Sequence, residues 1–556
     1  QLGTGEVTNK MENCKSYNFL RRDIRSIHSR PNTQGLFFFS PNLWFVLHQV
    51  FNDPIHGHME FHPFLVKIID TPQFQRLRYL KQLGGAYFVY PGASHNRFEH
   101  SLGVAHLAGQ LVRSLKEKQP HLLIDERDIL CVEIAGLCHD LGHGPFSHLF
   151  DGLFMPEAKP EENWKHEDMT VKMFDYIVEE LKKQQFDLKE KLQSLSRNTE
   201  GDDLVFIKEM INGPKEKVNS FPLRNSRKQN QRDRYCHHLG IKNSFDHNRY
   251  IKFARVLKVK KKMQICTRDK EMSNIYEMFH TRSSLHRKAY QHKTNKAVEL
   301  MIRDALLKAD PELNISTAAG NVKDFTDLTD GVFETILHSK NWKLTGAGLI
   351  EAGLILQNIL SRKLYIFLGE TKQTDRLVQE VLLCTTLLQE EDFEITIATF
   401  DFGSKDKNPM DNLYYYKKSD KERAIKIPRE KVSQFLLPER FSEKWIRVYC
   451  KSQDKKSIAL EAFKKWDTEK SSGPQCFLEL QLFKRWKSPA RNHFLSNPNG
   501  GKKISRDYFS HLCTIWCHVI SQDKTVTRSC SFSNNNRIQT DGGGEMKTIS
   551  VTPLHW

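Results

Sequence analysis

Several things are missing from this chain of 556 residues. Its eleven cysteines, scattered from Cys14 to Cys530, include no Cys-x-x-Cys pair, and several lie in apolar runs. A disulfide framework and paired zinc-finger modules are thereby excluded, and reduced intracellular thiols are expected. Cys513, Cys517 and His518 have half the spacing of a zinc site, but no second half follows. Long apolar runs are also absent. The two longest candidates, 36–51 and 344–360, are interrupted by Pro41 and His48 and by Glu351 and Gln357. Both fall short of the ~20 apolar residues a membrane helix needs. The N-terminal stretch is polar and basic, without the pattern of a signal peptide, so no membrane association is expected. Acidic residues are in deficit: 84 Lys and Arg face 67 Asp and Glu, a net charge of +17. Such a balance favours anionic partners, whether nucleotides, RNA or single-stranded DNA, without choosing among them.

What is present in excess is histidine, in one place. Residues 136–148 carry His139, Asp140, His143 and His148, with Gly142, Gly144 and Pro145 between them. The run before it has Ile129, Leu130, Val132, Ile134, Leu137 and Leu141 at helical spacing, which predicts a buried helix ending near His139 and Asp140. The glycines and proline then break the helix and leave His143 and His148 on a turning backbone. Neutral imidazoles and a carboxylate are good ligands for a divalent cation. A helix end whose carbonyls are satisfied by histidine would account for one such residue, not for three beside an aspartate.

Further pieces flank this stretch. Upstream, His100 follows Arg97 and Glu99 and opens an apolar helical run from Leu102 to Leu111; downstream lies His166. From Asp70 to Leu83, residues Phe74, Leu77, Leu80 and Leu83 form one helical stripe, with Arg76 and Arg78 off it on what reads as a solvated face. The alternation of residues 394–401 predicts a strand. Together these features predict a mainly α protein, a helical core with a small α+β lobe at its C-terminal side. The expected divisions are an unassigned segment 1–47, a core 48–310, a lobe 311–473 and a disordered tail 474–556.

The order His100, then His139–Asp140, is that of the HD-domain metal phosphohydrolases, and the chain resembles them. Residues 51–58, 70–78, 97–100, the block around His139 and residues 279–293 narrow the likeness to one branch. That branch is the vertebrate deoxynucleoside triphosphate triphosphohydrolases that carry SAM and HD domains. The resemblance runs from about Val50 to about Trp466, with gaps, and no SAM domain is found ahead of it.

That resemblance implies hydrolysis of a dNTP to deoxynucleoside and inorganic triphosphate, switched on by GTP or dGTP. It implies a divalent ion of zinc, iron or manganese type held by His100, His139 and Asp140, and magnesium travelling with the nucleotide. His166, held near Asp151, would be the acid and base, with His143 and His148 on the phosphates. Gln82, Leu83, Arg97, His148, Arg282, His286 and Tyr290 would contact substrate, with Arg97 stacking on the base and Arg282 clamping the γ-phosphate. The last three of these lie four apart, which predicts one face of a helix from Ile275 to Lys293. Val50, Asn52, Asp70, Gln75, Arg78, Val89, Arg249, Phe253, Arg268, Lys270, Asn274, Lys293, Arg423 and Lys426 match activator-nucleotide positions. Dimers and tetramers, a nuclear or cytoplasmic location and a role in antiviral defence are implied with them.

The chain also departs from that pattern. Between Gly213 and Cys236 the family carries an Asp-x-Asp-Lys-Trp-Asp-Tyr-type motif with the last metal-binding Asp, a phosphate-binding Lys and Tyr and a sugar-reading Asp. Here the interval is shorter, and Asp233 is the only acid near the right place. A weakened metal site and hydrolysis near background are therefore expected, with Asp233 as the candidate substitute ligand. Gln49 also stands where a phosphate-facing Lys is expected. The rival readings are a nucleotide-gated oligomer without catalysis and a basic RNA or single-stranded DNA binder. A cyclic-nucleotide phosphodiesterase of the wider HD class fits the ligands but not the activator-like motifs.

Overall fold

The computed structural model describes residues 48–195, 201–212, 233–260, 262–339, 346–372, 388–402, 406–428 and 440–468. The expectations for 1–47, for 474–556 and for most of the divergent segment before Cys236 lie outside these residues. The described part is mainly helical, with three small sheets.

It begins with an antiparallel hairpin, β1 (Gln49–Asp53) and β2 (Gly57–Phe61), with Val50 opposite Glu60. Asp53 closes the turn by accepting the N–H groups of Ile55 and His56 at 2.9 Å each. Helix α1 (Pro63–Ile69) starts on a proline, which has no N–H to leave unpaired there. It buries Phe64, Leu65, Ile68 and Ile69. The stretch after it is not the single helix its spacing predicts. Thr71 caps a short turn at Pro72–Gln75, a 3₁₀ turn follows at Arg76–Tyr79, and Leu80 is extended. The reason is tertiary: Leu80 and Gln82 bond Arg97 and His95 (Arg97 N to Leu80 O, 3.0 Å; Gln82 N to His95 O, 3.0 Å). The 3₁₀ turn also rotates Arg76 inward, so it is buried rather than solvated.

Helices α2 (Arg97–Lys118) and α3 (Glu126–Cys138) form the centre of the core. The Glu99 side chain takes the N–H of Asn96 at 2.6 Å, which fixes where α2 begins. Asp125 and Asp128 cap α3 reciprocally, Asp128 N to Asp125 Oδ1 at 2.9 Å. A Cβ on Gly136 would lie 3.0 Å from the Cα of Ala105, so glycine permits the close approach of the two helices. Every residue from Ile129 to Cys138 is buried, which makes α3 the innermost helix. Around it pack α4 (His166–Lys183) and α5 (Asp203–Asn212).

Helix α6 (His247–Phe253) leads into strands β3 (Arg255–Val259) and β4 (Lys262–Arg268). Helix α7 (Met272–Leu285) then runs into a π-helical turn at His286–Tyr290, where one continuous helix to Lys293 was expected. The long α8 (Lys293–Leu313) and α9 (Ala347–Leu360) return to the main core, where Ile302, Leu306, Leu349 and Leu356 join the residues of α3. Beyond α9 come β5 (Ile366–Lys372) and β6 (Phe393–Asp401), the latter where alternation placed a strand. They are followed by β7 (Tyr415–Lys417), β8 (Asp420–Ile425), β9 (Ser442–Cys450) and α10 (Lys456–Thr468). One sheet has the order β3-β4-β7-β8 and another β5-β9-β6. The second has its own core, with Phe393, Ile446 and Val448 against Phe463 and Trp466 of α10. Arg303 on α8 ties it to the helices, donating to Glu394 at 2.8 and 3.0 Å and to Glu157 at 2.8 Å. Among the described residues no helix is long and apolar enough to cross a membrane.

Candidate active site

Helix α3 ends at Cys138, and His139 caps it with helical backbone angles, as the hydrophobic spacing predicted. The Nδ1 atom of His139 lies 2.7 Å from the carbonyl of Gly136. A carbonyl can only accept, so Nδ1 donates and Nε2 is the ring nitrogen left to face the centre. That Nε2 faces Asp140 Oδ1 at 3.1 Å. His100, delivered by the first turn of α2, places its Nε2 3.5 Å from Asp140 Oδ2. His143 Nε2 stands 3.6 Å from Oδ1. His100, His139 and Asp140 thus bring one donor atom each within 4.8 Å of one another.

Burial pushes the His100 imidazole well below its usual value despite the pull of Asp140, and His139, Arg97 and Arg234 push the same way. It is therefore neutral, and a neutral imidazole can coordinate a cation. Burial works against ionisation of Asp140, but His139, Arg97, His143 and His100 outweigh it and hold the carboxyl well below the ordinary range. The neutral His100, the Nε2 of His139 and an ionised carboxylate are a donor set that fits a divalent cation of borderline softness. Arg97 is buried and turned into this centre, its Nη1 on Asp140 Oδ2 and its Nε 2.9 Å from the hydroxyl of Ser147.

A second group, His143, His148, Asp151 and His166, adjoins the first. His166 opens α4 and gives its Nδ1 to Asp151 Oδ2 at 2.5 Å. His143 stacks on the His166 ring at 3.8 Å between centroids. Burial and the Arg97 charge keep His143 neutral, well below its usual value. Burial also opposes ionisation of Asp151, yet hydrogen bonds from His148 and His166 draw its carboxyl far down.

A cavity of about 260 Å³ opens beside this centre, and Gln82, Leu83, Arg97, His148, Arg282, His286 and Tyr290 all line it. The π-helical turn presents His286 and Tyr290 to it, and their rings meet edge to face at 4.7 Å. Phe146, Ser147, Leu149, Tyr235, Asn295, Lys296 and Glu299 complete the lining. Sequence reasoning did not single these out; four of the seven come from segments far from the histidine block, and no local pattern marks them.

The residues matched to an activator lie elsewhere. Val50, Asn52, Asp70 and Arg78 are exposed, and Val89 is half-buried against the core. Gln75 links two of their neighbours, donating to the carbonyl of Ile69 at 2.8 Å and accepting from Arg78 at 2.7 Å. Arg249 and Arg268 approach the ring of Phe253 at 5.4 and 5.6 Å, and Asn274 brackets the backbone of Asp246 at 2.8 and 2.9 Å. Lys270 and Arg423 are exposed, Lys293 lies 5.0 Å over Phe367, and Lys426 bonds the carbonyl of Asp411 at 2.7 Å.

Asp233 does not join the ligand group. It pairs with His247 at 2.7 Å and with Asn243, which turns its carboxylate away from substitution for a metal ligand. Its neighbour Arg234 is fully buried and bonded to Asp53 at 2.8 Å, anchoring this end of the divergent segment to the first hairpin.

The HD domain family matches residues 97–220, from the first residue of α2 through α3, α4 and α5. The deoxynucleoside triphosphate triphosphohydrolase SAMHD1 of Mus musculus is 49% identical over 471 residues, covering 74% of this chain and 70% of that protein. Its Homo sapiens counterpart is 47% identical, covering 76% of this chain and 74% of that protein. The chain belongs to the SAMHD1 family. A homologue in Dictyostelium discoideum, 36% identical over 80% of this chain and 84% of its own length, extends the family likeness well beyond vertebrates. Family membership and fold agree: the mainly α body is built around α2 and α3, with His139 and Asp140 at the helix end where the sequence placed them.

Proposed function

We propose that this chain is a metal-dependent dNTP triphosphohydrolase of the SAMHD1 type, with the nucleotide in the cavity lined by Gln82, Leu83, Arg282, His286 and Tyr290. The observation that carries the reading is the junction of that cavity with the His100–His139–Asp140 group through Arg97, and with the His143–Asp151–His166 group through His148. The guanidinium of Arg282 suits a phosphate, and Tyr290 offers an aromatic wall to the sugar and base. A divalent ion of zinc, iron or manganese type, held by His100, His139 and Asp140, would polarise the α-phosphate and acidify a water there.

The chain's own residues handle protons and charge. Asp151 fixes His166 with its proton on Nδ1, so Nε2 is the exchanging atom. In hydrolysis the water oxygen bonds to the α-phosphorus, the bond to the sugar 5′ oxygen breaks, and that oxygen leaves with a proton. His166 is assigned to deliver this proton and to regain one from the attacking water. His143, neutral, and His148 donate hydrogen bonds to phosphate oxygens as charge accumulates.

The finer assignments follow the family. A guanine nucleotide at the Asp70–Gln75–Arg78 surface and around Arg249, Phe253 and Arg268 would drive dimers and tetramers. Magnesium would accompany the triphosphates, and the protein would act in the nucleus or cytoplasm. The reading of a nucleotide-gated oligomer with little turnover is favoured by one observation: Asp233 is held by His247 and Asn243, which leaves three candidate ligands, His100, His139 and Asp140. Calorimetry with dGTP separates both from a nucleic-acid binder. Saturable binding weakened by Arg282→Ala supports a nucleotide cavity; binding of single-stranded DNA alone, steep in salt, contradicts it.

A further inference from the structure

The turn at Phe146 and Ser147 has a constrained backbone, with φ of 58° and 62°. This left-handed region is rare for residues with side chains and persists only where surroundings enforce it. The turn forms one wall of the cavity, and Gln82 and Leu83 form another. Asp330, on the loop after Leu328, bonds the first wall at Phe146 and the second through Lys81, the residue before Gln82. Its Oδ1 accepts the N–H of Phe146 and its Oδ2 accepts the N–H of Lys81, each at 2.7 Å. Its own N–H donates to Tyr79 at 3.2 Å. From there the contacts continue to the metal ligands. Ser147 donates to the carbonyl of Lys81 at 2.6 Å and accepts from Arg97 Nε at 2.9 Å, and Arg97 pairs with Asp140. Arg76 braces the same loops from behind, donating to Leu328 at 2.9 Å and to His143 at 2.8 Å. Gly84 leaves room for the arrangement, since a Cβ there would lie 2.4 Å from the carbonyl oxygen of Phe146.

We propose that Asp330 is a positioning residue of this cavity: one carboxylate sets the spacing of its two walls and, through Ser147 and Arg97, the orientation of Asp140. It reaches no reacting atom. The inference rests on the reading of the cavity as a nucleotide site. One charge-assisted bond to this carboxylate adds to the turn's own bonds, Ser147 N–H to Gly144 and Phe150 N–H to Ser147 at 3.0 Å each, and the other ties the turn to Lys81. Burial pushes the Asp330 carboxyl up to about 6, against the hydrogen bonds of Phe146 and Lys81 and the charges of Lys81 and Arg76. Protonation turns one acceptor oxygen into a donor and leaves one backbone N–H without a partner.

The experiment uses the full chain with manganese added, beside Asp330→Ala and Asp330→Asn. Amide hydrogen exchange is followed in peptides spanning 79–84 and 144–149, and dGTP affinity is measured from pH 5 to pH 8, with metal content as a control. Asp330→Ala should speed exchange in both segments selectively and weaken dGTP at least tenfold at pH 7.5. Asp330→Asn should fall between Ala and the unmodified chain and lose the component of the affinity profile centred near pH 6 that the unmodified chain shows. Unchanged exchange in either segment overturns the tie. Faster exchange with unaltered affinity, or a pH profile shared by the unmodified chain and Asp330→Asn, overturns the positioning role. No dGTP binding by the unmodified chain, with both segments still loosened in Asp330→Ala, overturns the nucleotide reading and the positioning role with it, and leaves the structural tie standing.

Discussion

The Oδ2 atom of Asp151 lies 2.5 Å from Nδ1 of His166, a carboxylate–imidazole pair at the head of α4. The pair sets the tautomer of the residue assigned to proton transfer. Asp151→Asn keeps the shape and reverses the proton preference at Nδ1. We expect kcat to fall by roughly 10²-fold or more with KM little changed, the range expected for lost acid–base catalysis. Equal losses in KM would place His166 in binding instead.

Acid should weaken the fold in the range where histidines titrate. Burial pushes His95 down to about 2, with His238 and Arg234 adding to it, and pushes His62 and His106 down to about 4. Each is neutral in the folded state at pH 5, while its unfolded counterpart takes a proton below about 6.5. The unfolded chain therefore binds more protons, and stability is lost as pH falls below that value. Each deeply buried histidine contributes about 1.4 kcal/mol per pH unit at most. Asp330, raised to about 6, acts in the opposite direction, favouring the folded state as pH falls through about 6 toward its unfolded value. Denaturant titrations at pH 7.5, 6.5 and 5.5 should show a net fall between the last two; a flat profile contradicts the account.

Arg303 should be a structural weak point. Burial disfavours its charge, but Glu394 and Asp304 more than restore it and raise the guanidinium above its usual value. Arg303→Met strands these carboxylates beside Glu157, and a broken buried pair typically costs about 3–5 kcal/mol. Thermal unfolding should shift down by several degrees, with the lobe of β5, β6 and β9 losing exchange protection first. Loss confined to the helical core would mean the tie between α8 and β6 is not the joint described.

Much of this was legible in the sequence, for physical reasons. His139 and Asp140 were placed at the helix end because apolar spacing, glycine and proline are local signals. Strand β6 was legible because alternation is local too. Arg76 was misjudged as solvated because its partners, the carbonyls of Leu328 and His143, are distant in the chain. Arg282, His286 and Tyr290 line one cavity, but the π turn that presents the last two depends on packing that spacing does not report. Asp330 carried no signal at all, since its role exists only once Lys81 and Phe146 meet.

Guanine nucleotide should shift the protein toward larger species. Arg249 and Arg268 flank Phe253, and Arg249 Nε is 3.1 Å from Glu271. Sedimentation with GTP and dGTP should show dimers and tetramers, reduced by Arg268→Ala. A single unchanged species at saturating nucleotide refutes the activator assignment.

The most direct test is metal-dependent release of inorganic triphosphate from dGTP with GTP present. Three chains are compared: this one, one with the family's segment restored between Gly213 and Cys236, and the restored chain with His139→Ala and Asp140→Ala. Missing one strong electrostatic contact in the transition state typically costs about 10²–10³ in rate. The account predicts slow release by this chain, at least that far below the restored chain, strengthened by added manganese and abolished by a chelator. The restored chain should lose its activity with His139 and Asp140. Release that is equally fast in this chain and the restored one, or that survives removal of His139 and Asp140, contradicts the central claim.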